Sequence, residues 1–598
     1  MTRETREFIP KITSRCGDPV TAFLFPSAEK TAVQYPAVLL LISLFPVRYL
    51  FLLALACASA TAQSPLIKIL SDELERNFNV LKQKGDPPPY FMGYSVVDQE
   101  ADVVSASGGA LDAQNHIQQR ALDVTVRTGS RQLDNYRSVN GDRPRFTVAR
   151  AIALEDSAPE IRQVLWMSTD QVYRAASARM IRLKADEKLK AQATDKSPDF
   201  STEEPQTFFS TTPKYKFDAA DWSKRLRKLS AEFTKYPGAI NSSVSVDAQR
   251  VVKSLVTTEG TRVEHGRLFA RLFITARGKA SDGMDLATME SFESDDPTKL
   301  PKDAQILAAL EKAGANLTNL LRAPLADPFV GPAILSGRAT GVFFHEIFGH
   351  RIEGHRQKDE SEGQTFTKSV GKPVLPEFLS IVFDPTRKDF QGVALNGSYS
   401  YDDEGVKGRP VTLVENGILK TFLMSRSPIE GFPQSNGHGR RSPGAEIVSR
   451  QSNLFVESSK QVSDEELRKM LIAEVKRQNK PYGLFFDQVT GGYTTTARRG
   501  LQAFTVIPLV VYRVYPDGRP DELIRGVDIV GTPLSSFAKI LATSNRMEVF
   551  NGICGAESGD VPVSAIAPAI LVSEIEIQRK ERSQDRPPYL GRPTESQQ

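Results

Sequence analysis

The chain has few of the residues that most often build disulfide, metal and redox sites. It has three cysteines (Cys16, Cys57 and Cys554) and six histidines among 598 residues. So little cysteine excludes a disulfide scaffold. Charge of one sign is also lacking: 76 basic and 72 acidic residues leave a net +4. That balance gives no reason to expect an acidic partner. No basic stripe with interleaved aromatics is present, so nucleic acid is not an expected partner. There is no internal repeat and no phosphate-cradling loop; Gly354 and the glycines near 491–500 do not form a dinucleotide fingerprint. What is present is an ordinary globular composition, 40% hydrophobic and 25% charged, which excludes a disordered or collagen-like chain. The length suits about two to four domains.

Long hydrophobic runs are confined to the N-terminus. Ala37–Phe45 is followed by Pro46 and Arg48, then by Tyr49–Ala58 and the small residues Ala58-Ser-Ala-Thr-Ala62. A basic residue, a short apolar run and A-x-A spacing read as a secretory signal cleaved near Ala62, with translation starting near Val47 as one explanation of the long preamble. Export to the periplasm or the extracellular space is therefore expected. A membrane anchor over about 37–60 is the runner-up, disfavoured by Pro46 and Arg48; a lipid anchor at Cys57 is a third option. Cleavage would remove six basic and four acidic residues, easing the charge from +4 to +2, and would leave Cys554 as the lone thiol. No stable membrane span is expected after cleavage.

The rest of the chain reads as an α+β protein. After the 1–62 preamble, residues 63–325 are expected to form an N-terminal α/β domain. Leu66, Ile67, Ile69, Leu70, Leu74, Phe78 and Leu81 mark an amphipathic helix over 64–84, stopped by Gly85-Asp-Pro-Pro-Pro89. Alternating stretches near 94–98, 121–127, 242–246, 251–257 and 268–275 predict strands, and 168–192, 219–235 and 302–322 predict helices. Residues 193–215, rich in Ser, Thr, Pro and charge, read as a polar surface loop. The proline-rich stretch 323–332 is the candidate boundary. Residues 326–577 are expected to form a β-rich domain of short strands with frequent glycine turns, broken by one clear helix opened by the capping box Ser463-Asp-Glu-Glu466. Residues 578–598 read as a polar tail.

Three of the six histidines fall within eleven residues, in Gly341-Val-Phe-Phe-His345-Glu346-Ile-Phe-Gly-His350-Arg-Ile-Glu-Gly-His355. Imidazoles suit zinc, and a glutamate beside a ligand is where a metal hydrolase needs its general base. The pattern is H-E-x-x-x-H, not H-E-x-x-H, so His350 stands at i+5 from His345, about 140° around an ideal helix. Both can reach one ion only if the helix is distorted or ends, and Gly349 is a suitable place. Glu353, His355 and Cys554 are all candidates for a third ligand; alone, Cys554 reads more readily as a small buried hydrophobe.

Much of 328–577 resembles the TldD/PmbA family of zinc metalloproteases. The resemblance runs through Gly331-Pro-Ala-Ile-Leu335, Gly341–His350, Asp402-Asp-Glu-Gly405, Leu413–Lys420, Ser435-Asn-Gly-His-Gly-Arg-Arg441, Asn551-Gly-Ile-Cys-Gly555 and Pro562-Val-Ser564. It implies zinc (Zn2+) held by His345, His350 and Cys554, and Glu346 as the catalytic residue. It also implies an α/β domain joined to a largely antiparallel β C-terminal domain carrying the metal-site helix, and dimers (homodimers, or heterodimers with a related subunit) that enclose a chamber for short or unfolded peptides. His438, in its glycine-rich turn, is a candidate oxyanion contact, and a surface turn residue is the alternative. A zinc amidase acting on non-peptide amides and a non-catalytic exported scaffold or partner subunit are the competing functions.

Overall fold

In the computed structural model the described residues are 63–139, 142–185, 195–499, 503–531, 536–580 and 588. The expected signal segment, Cys16, Cys57 and most of the polar tail lie outside them. Two sheets organise the rest, and all described residues fall in one compact unit.

The first sheet has seven strands. Its centre is made of Pro89–Ser107, Ala110–Thr128, Asn241–Thr257 and Arg262–Lys279, all antiparallel neighbours, with Asp285–Ser294 paired to the last of these. Successive side chains of a strand point to opposite faces. Even-numbered positions here, among them Met92, Tyr94, Val96, Val244, Val246, Leu272 and Ile274, are buried under helices. Pro65–Lys84 and Ala158–Ala185 cover one end of that face, and Ala219–Ala231 and Asp303–Arg322 the other. Each buried Leu, Ile or Val contributes about 1.5–3 kcal/mol by leaving water. Odd-numbered positions turn the other way: Lys253 pairs with Asp403, Arg267 donates to Asn396 O, and Arg271 donates to Asn551 O.

The second sheet has twelve strands, mostly antiparallel. Gly559–Arg579 pairs with Ile540–Ala556, Val527–Gly531 and Phe329–Leu335 antiparallel, and with Asn453–Ser458 parallel. Phe504–Val514 and Gly483–Thr494 continue the sheet. The helix Gly337–Ile347 lies against this sheet. Its close approach requires small residues: a Cβ on Gly341 would stand 3.0 Å from the Ala565 Cβ, and one on Gly337 would stand 2.5 Å from the Ala567 carbonyl oxygen. Ser463 caps the helix Asp464–Arg477 by accepting from Glu466 N at 3.1 Å, as the capping box predicts. Among the described residues, no helix is long and apolar enough to cross a membrane.

Two expectations change. The helix expected over 168–192 begins ten residues earlier, at Ala158, because Ile161 and Leu165 bury against the first helix and its strands. The stretch read as a polar surface loop is partly interior. Thr207–Phe209 joins the first sheet, and Asp199, Phe200 and Ser201 are buried. The Phe200 ring sits 3.9 Å from both the Arg127 and the Arg426 guanidinium carbons, so its polar neighbours are themselves drawn inside by cation–π contact.

Candidate metal centre

Ser336 starts the site helix by accepting from Ala339 N at 3.2 Å. The helix runs Gly337–Ile347, passes through Phe348 at φ −102°, and tightens into a 3-10 turn over Gly349–Ile352. The change of pitch lets His350 swing back toward His345 despite its i+5 spacing. Three contacts hold it. Arg351 Nη1 donates to the Glu346 and Ile347 carbonyls at 3.1 and 3.3 Å, satisfying acceptors at the helix end. Gln451 Nε2 donates to His345 O at 3.2 Å. Gly349 leaves room for Gln451, whose Oε1 would stand 2.0 Å from a Cβ there.

His345, His350 and Cys554 offer ligand atoms that all lie within 4.8 Å of one another. The two imidazole rings are 5.0 Å apart at 82°, and Cys554 Sγ is 3.4 Å from His350 Nε2. Tetrahedral zinc with Zn–N and Zn–S bonds of about 2.1 and 2.3 Å separates such atoms by about 3.6 Å. Two imidazoles and one thiolate, with an open side, form a donor set that fits zinc. His350 keeps Nε2 for that side because Nδ1 faces Glu353 Oε2 at 3.4 Å, the outer carboxylate that metal-binding histidines commonly use.

Charges behind the ligands reinforce the arrangement. Burial pushes the Cys554 thiol up, but His350 and His345 outweigh it and hold the thiol well below its ordinary range. Burial pushes His350 down, while Cys554 and Glu353 raise it well above the usual imidazole value. Glu353, fully buried, would be raised by burial, yet His350, Arg356 and Arg450 hold it at about 2. Arg450, with no exposed surface, donates from Nη2 to Cys554 Sγ at 3.2 Å and to Cys554 O at 2.6 Å.

A cavity of about 440 Å³ opens beside His345 and Glu346, between the second sheet and the odd-numbered face of the first. Glu346 is 6% exposed, and burial raises its carboxyl above the usual range. Its position depends on Gly492, where a Cβ would stand 2.7 Å from Glu346 Cγ.

The remaining candidates sit elsewhere. Glu353 backs His350 and is held by Arg356 at 2.8 Å. His355 is paired through Nε2 with Glu557 and is outside the three-residue cluster. His438 is fully buried, with Nδ1 3.2 Å from Asn436 Oδ1 and Nε2 3.1 Å from Ser452 Oγ, and it does not line the cavity. Neither a surface turn nor an oxyanion contact describes that position. Sequence reading missed Arg450, Gln451 and Gly492. The Gly491-Gly492 pair inside a strand was the available signal of close approach.

Residues 330–579 match the PmbA/TldA metallopeptidase C-terminal domain. Residues 330–579 thus carry the C-terminal domain of the PmbA/TldD family. A metalloprotease of Methanocaldococcus jannaschii is 29% identical over 263 residues, covering 44% of this chain and 53% of that protein. A TldD-homolog metalloprotease of Haemophilus influenzae is 27% identical over 46% of this chain and 53% of its own length. A zinc metalloprotease TldD homolog of Saccharolobus solfataricus is 28% identical over 46% and 56%. The matched region thus spans about half the length of these relatives. The solved structure of TldE from Thermococcus kodakarensis superposes with TM-score 0.58 at 14% identity, covering 84% of this chain and 99% of that one. A protein of Thermotoga maritima described as a modulator of a DNA gyrase gives 0.57 at 17% identity, covering 85% and 99%. At such identities these two likenesses concern the fold.

Proposed function

We propose that this chain is a zinc-dependent peptidase acting on short or unfolded peptides. The observation that carries the reading is the convergence of His345, His350 and Cys554 beside a buried glutamate at the wall of a cavity. Relatives named metalloproteases support it. His345, His350 and Cys554 would hold the ion, which when bound supplies Lewis-acid polarisation of a carbonyl and a more acidic water. Glu346 takes the proton from the attacking water onto a carboxylate oxygen and returns it to the leaving amine nitrogen. A carboxyl raised by burial is suited to both steps. The arginines behind Glu353 and Cys554 keep the ligands in place.

Glu346→Gln tests the assignment. Zinc content should stay at the wild-type level while turnover falls about 10²- to 10⁴-fold. A variant that still cleaves peptides at the wild-type rate contradicts the role of Glu346. Two further parts belong to the proposal. Export is tested by N-terminal sequencing of protein from the producing cell, which should begin near Gln63. Assembly as a homodimer, or with a related subunit, is read from the mass in solution.

A further inference from the structure

We propose that the cavity recognises a carboxylate of its peptide through Arg338, with Arg277 at the mouth; this deepens, and rests on, the peptidase reading. Charge pairing in the cavity carries the inference. Of the acids on its wall, Glu290 is engaged by Lys312 at 2.8 Å and Glu293 by Arg271 at 3.1 Å. Arg271 is further committed to Asn551 O at 3.0 Å. Arg277 and Arg338 also line the cavity, and among the described residues neither guanidinium has an ion pair or a hydrogen bond. Two carboxylates stand near Arg338: Glu548 is taken by the Arg338 backbone N–H at 3.1 Å and by Arg546 at 3.3 Å, and Asp487 feels the charges of Lys312 and Arg338 without a salt bridge to Arg338. With the paired groups set aside, the cavity presents two guanidinium groups without a salt bridge and the catalytic Glu346.

Arg338 is half-buried, on the same helix as Glu346. It precedes His345 by seven residues, about 10 Å along the axis and within about 20° of the same face. A planar guanidinium left without a salt bridge on the cavity wall is matched by a carboxylate, which it can bind through two parallel hydrogen bonds. An extended peptide advances about 3.3–3.6 Å per residue, so a carboxylate at Arg338 places the cleaved bond about two to three residues away. That carboxylate is either the chain terminus or an Asp or Glu side chain.

The experiment uses three peptides of one sequence: a free acid, its C-terminal amide, and the amide carrying Glu at the last position. Binding is measured by fluorescence anisotropy on zinc-loaded Glu346→Gln protein, with and without Arg338→Gln and Arg338→Lys. Cleavage by the wild type is followed by mass spectrometry. At least one carboxylate peptide should bind about 10- to 100-fold more tightly than the plain amide. Arg338→Gln should abolish the difference, Arg338→Lys should restore part of it, and cleavage should fall two to three residues from the carboxylate. Which peptide is preferred identifies the source of the carboxylate. Equal binding of all three, or a preference that survives Arg338→Gln, overturns the proposal. Cleavage of no peptide by the zinc-loaded wild type would count against the peptidase reading, and the binding comparison would still decide the anchor.

Discussion

Arg450 touches Cys554 twice, donating from one nitrogen to its carbonyl oxygen at 2.6 Å and to its Sγ at 3.2 Å. On its other side Arg450 Nε lies 3.5 Å from Glu353 Oε1, and Glu353 Oε2 lies 3.4 Å from His350 Nδ1. Two of the three proposed ligands are therefore linked through one buried cation–anion pair. Arg450→Met should lower zinc affinity about 10- to 100-fold, the usual cost of losing an outer-shell partner. It should also destabilise the fold by about 3–5 kcal/mol, because a buried ion pair loses one member. Chelator competition and urea unfolding of the zinc-loaded protein check the two effects. Affinity equal to wild type would remove Arg450 from the account of the site.

Gly492 makes a second prediction. A methyl group there would stand 2.7 Å from Glu346 Cγ and 2.8 Å from the Thr505 carbonyl oxygen. Either the carboxylate or the strand Gly483–Thr494 must move. Gly492→Ala should retain zinc and lose on the order of 10²-fold in kcat, the scale of a 1 Å misplacement of a catalytic group. Metal analysis with steady-state kinetics separates this from loss of the ion.

The pH dependence of stability should reflect Glu259. Burial would raise its carboxyl, but Arg426 and Arg131 outweigh that and lower it below the ordinary glutamate value. The unfolded chain therefore takes up this proton at higher pH than the folded one. Its stabilisation is present above about pH 4.3, the unfolded value, and is lost as the pH falls through the folded one. Glu259→Gln should be less stable than wild type at pH 7, with the gap closing progressively below about pH 4.3. Thermal unfolding across that range measures it.

Much of the site was legible in the sequence because rare residue types clustered: three histidines in eleven positions and a single cysteine beyond residue 62. At i+5 the two histidines can share one ion only if the helix is distorted or ends, with Gly349 a suitable place, and the helix ends at Ile347. The fold was legible where burial alternates or recurs at helical spacing, as in Pro65–Lys84 and Arg262–Lys279. What was not legible is the polar interior. Ser449, Arg450, Gln451, Ser452 and Asn453 have no exposed surface, although all five side chains are polar. Their burial depends on partners far along the chain, such as Ser558 for Arg450 and the Asp384 carbonyl for Asn453. Hydropathy carries no record of such pairings, because a buried polar group is stable only where its partner is. His438 escaped for the same reason: its Asn-Gly-His-Gly turn suggests solvent, while Asn436 and Ser452 satisfy it inside.

The most direct test of the metal centre is the zinc content of purified protein, wild type against Cys554→Ser, by elemental mass spectrometry, with peptide cleavage read on the same samples. About one zinc per wild-type chain is expected, a small fraction of that in Cys554→Ser, and activity that falls in step. Equal zinc content in the two proteins would contradict the ligand set of His345, His350 and Cys554.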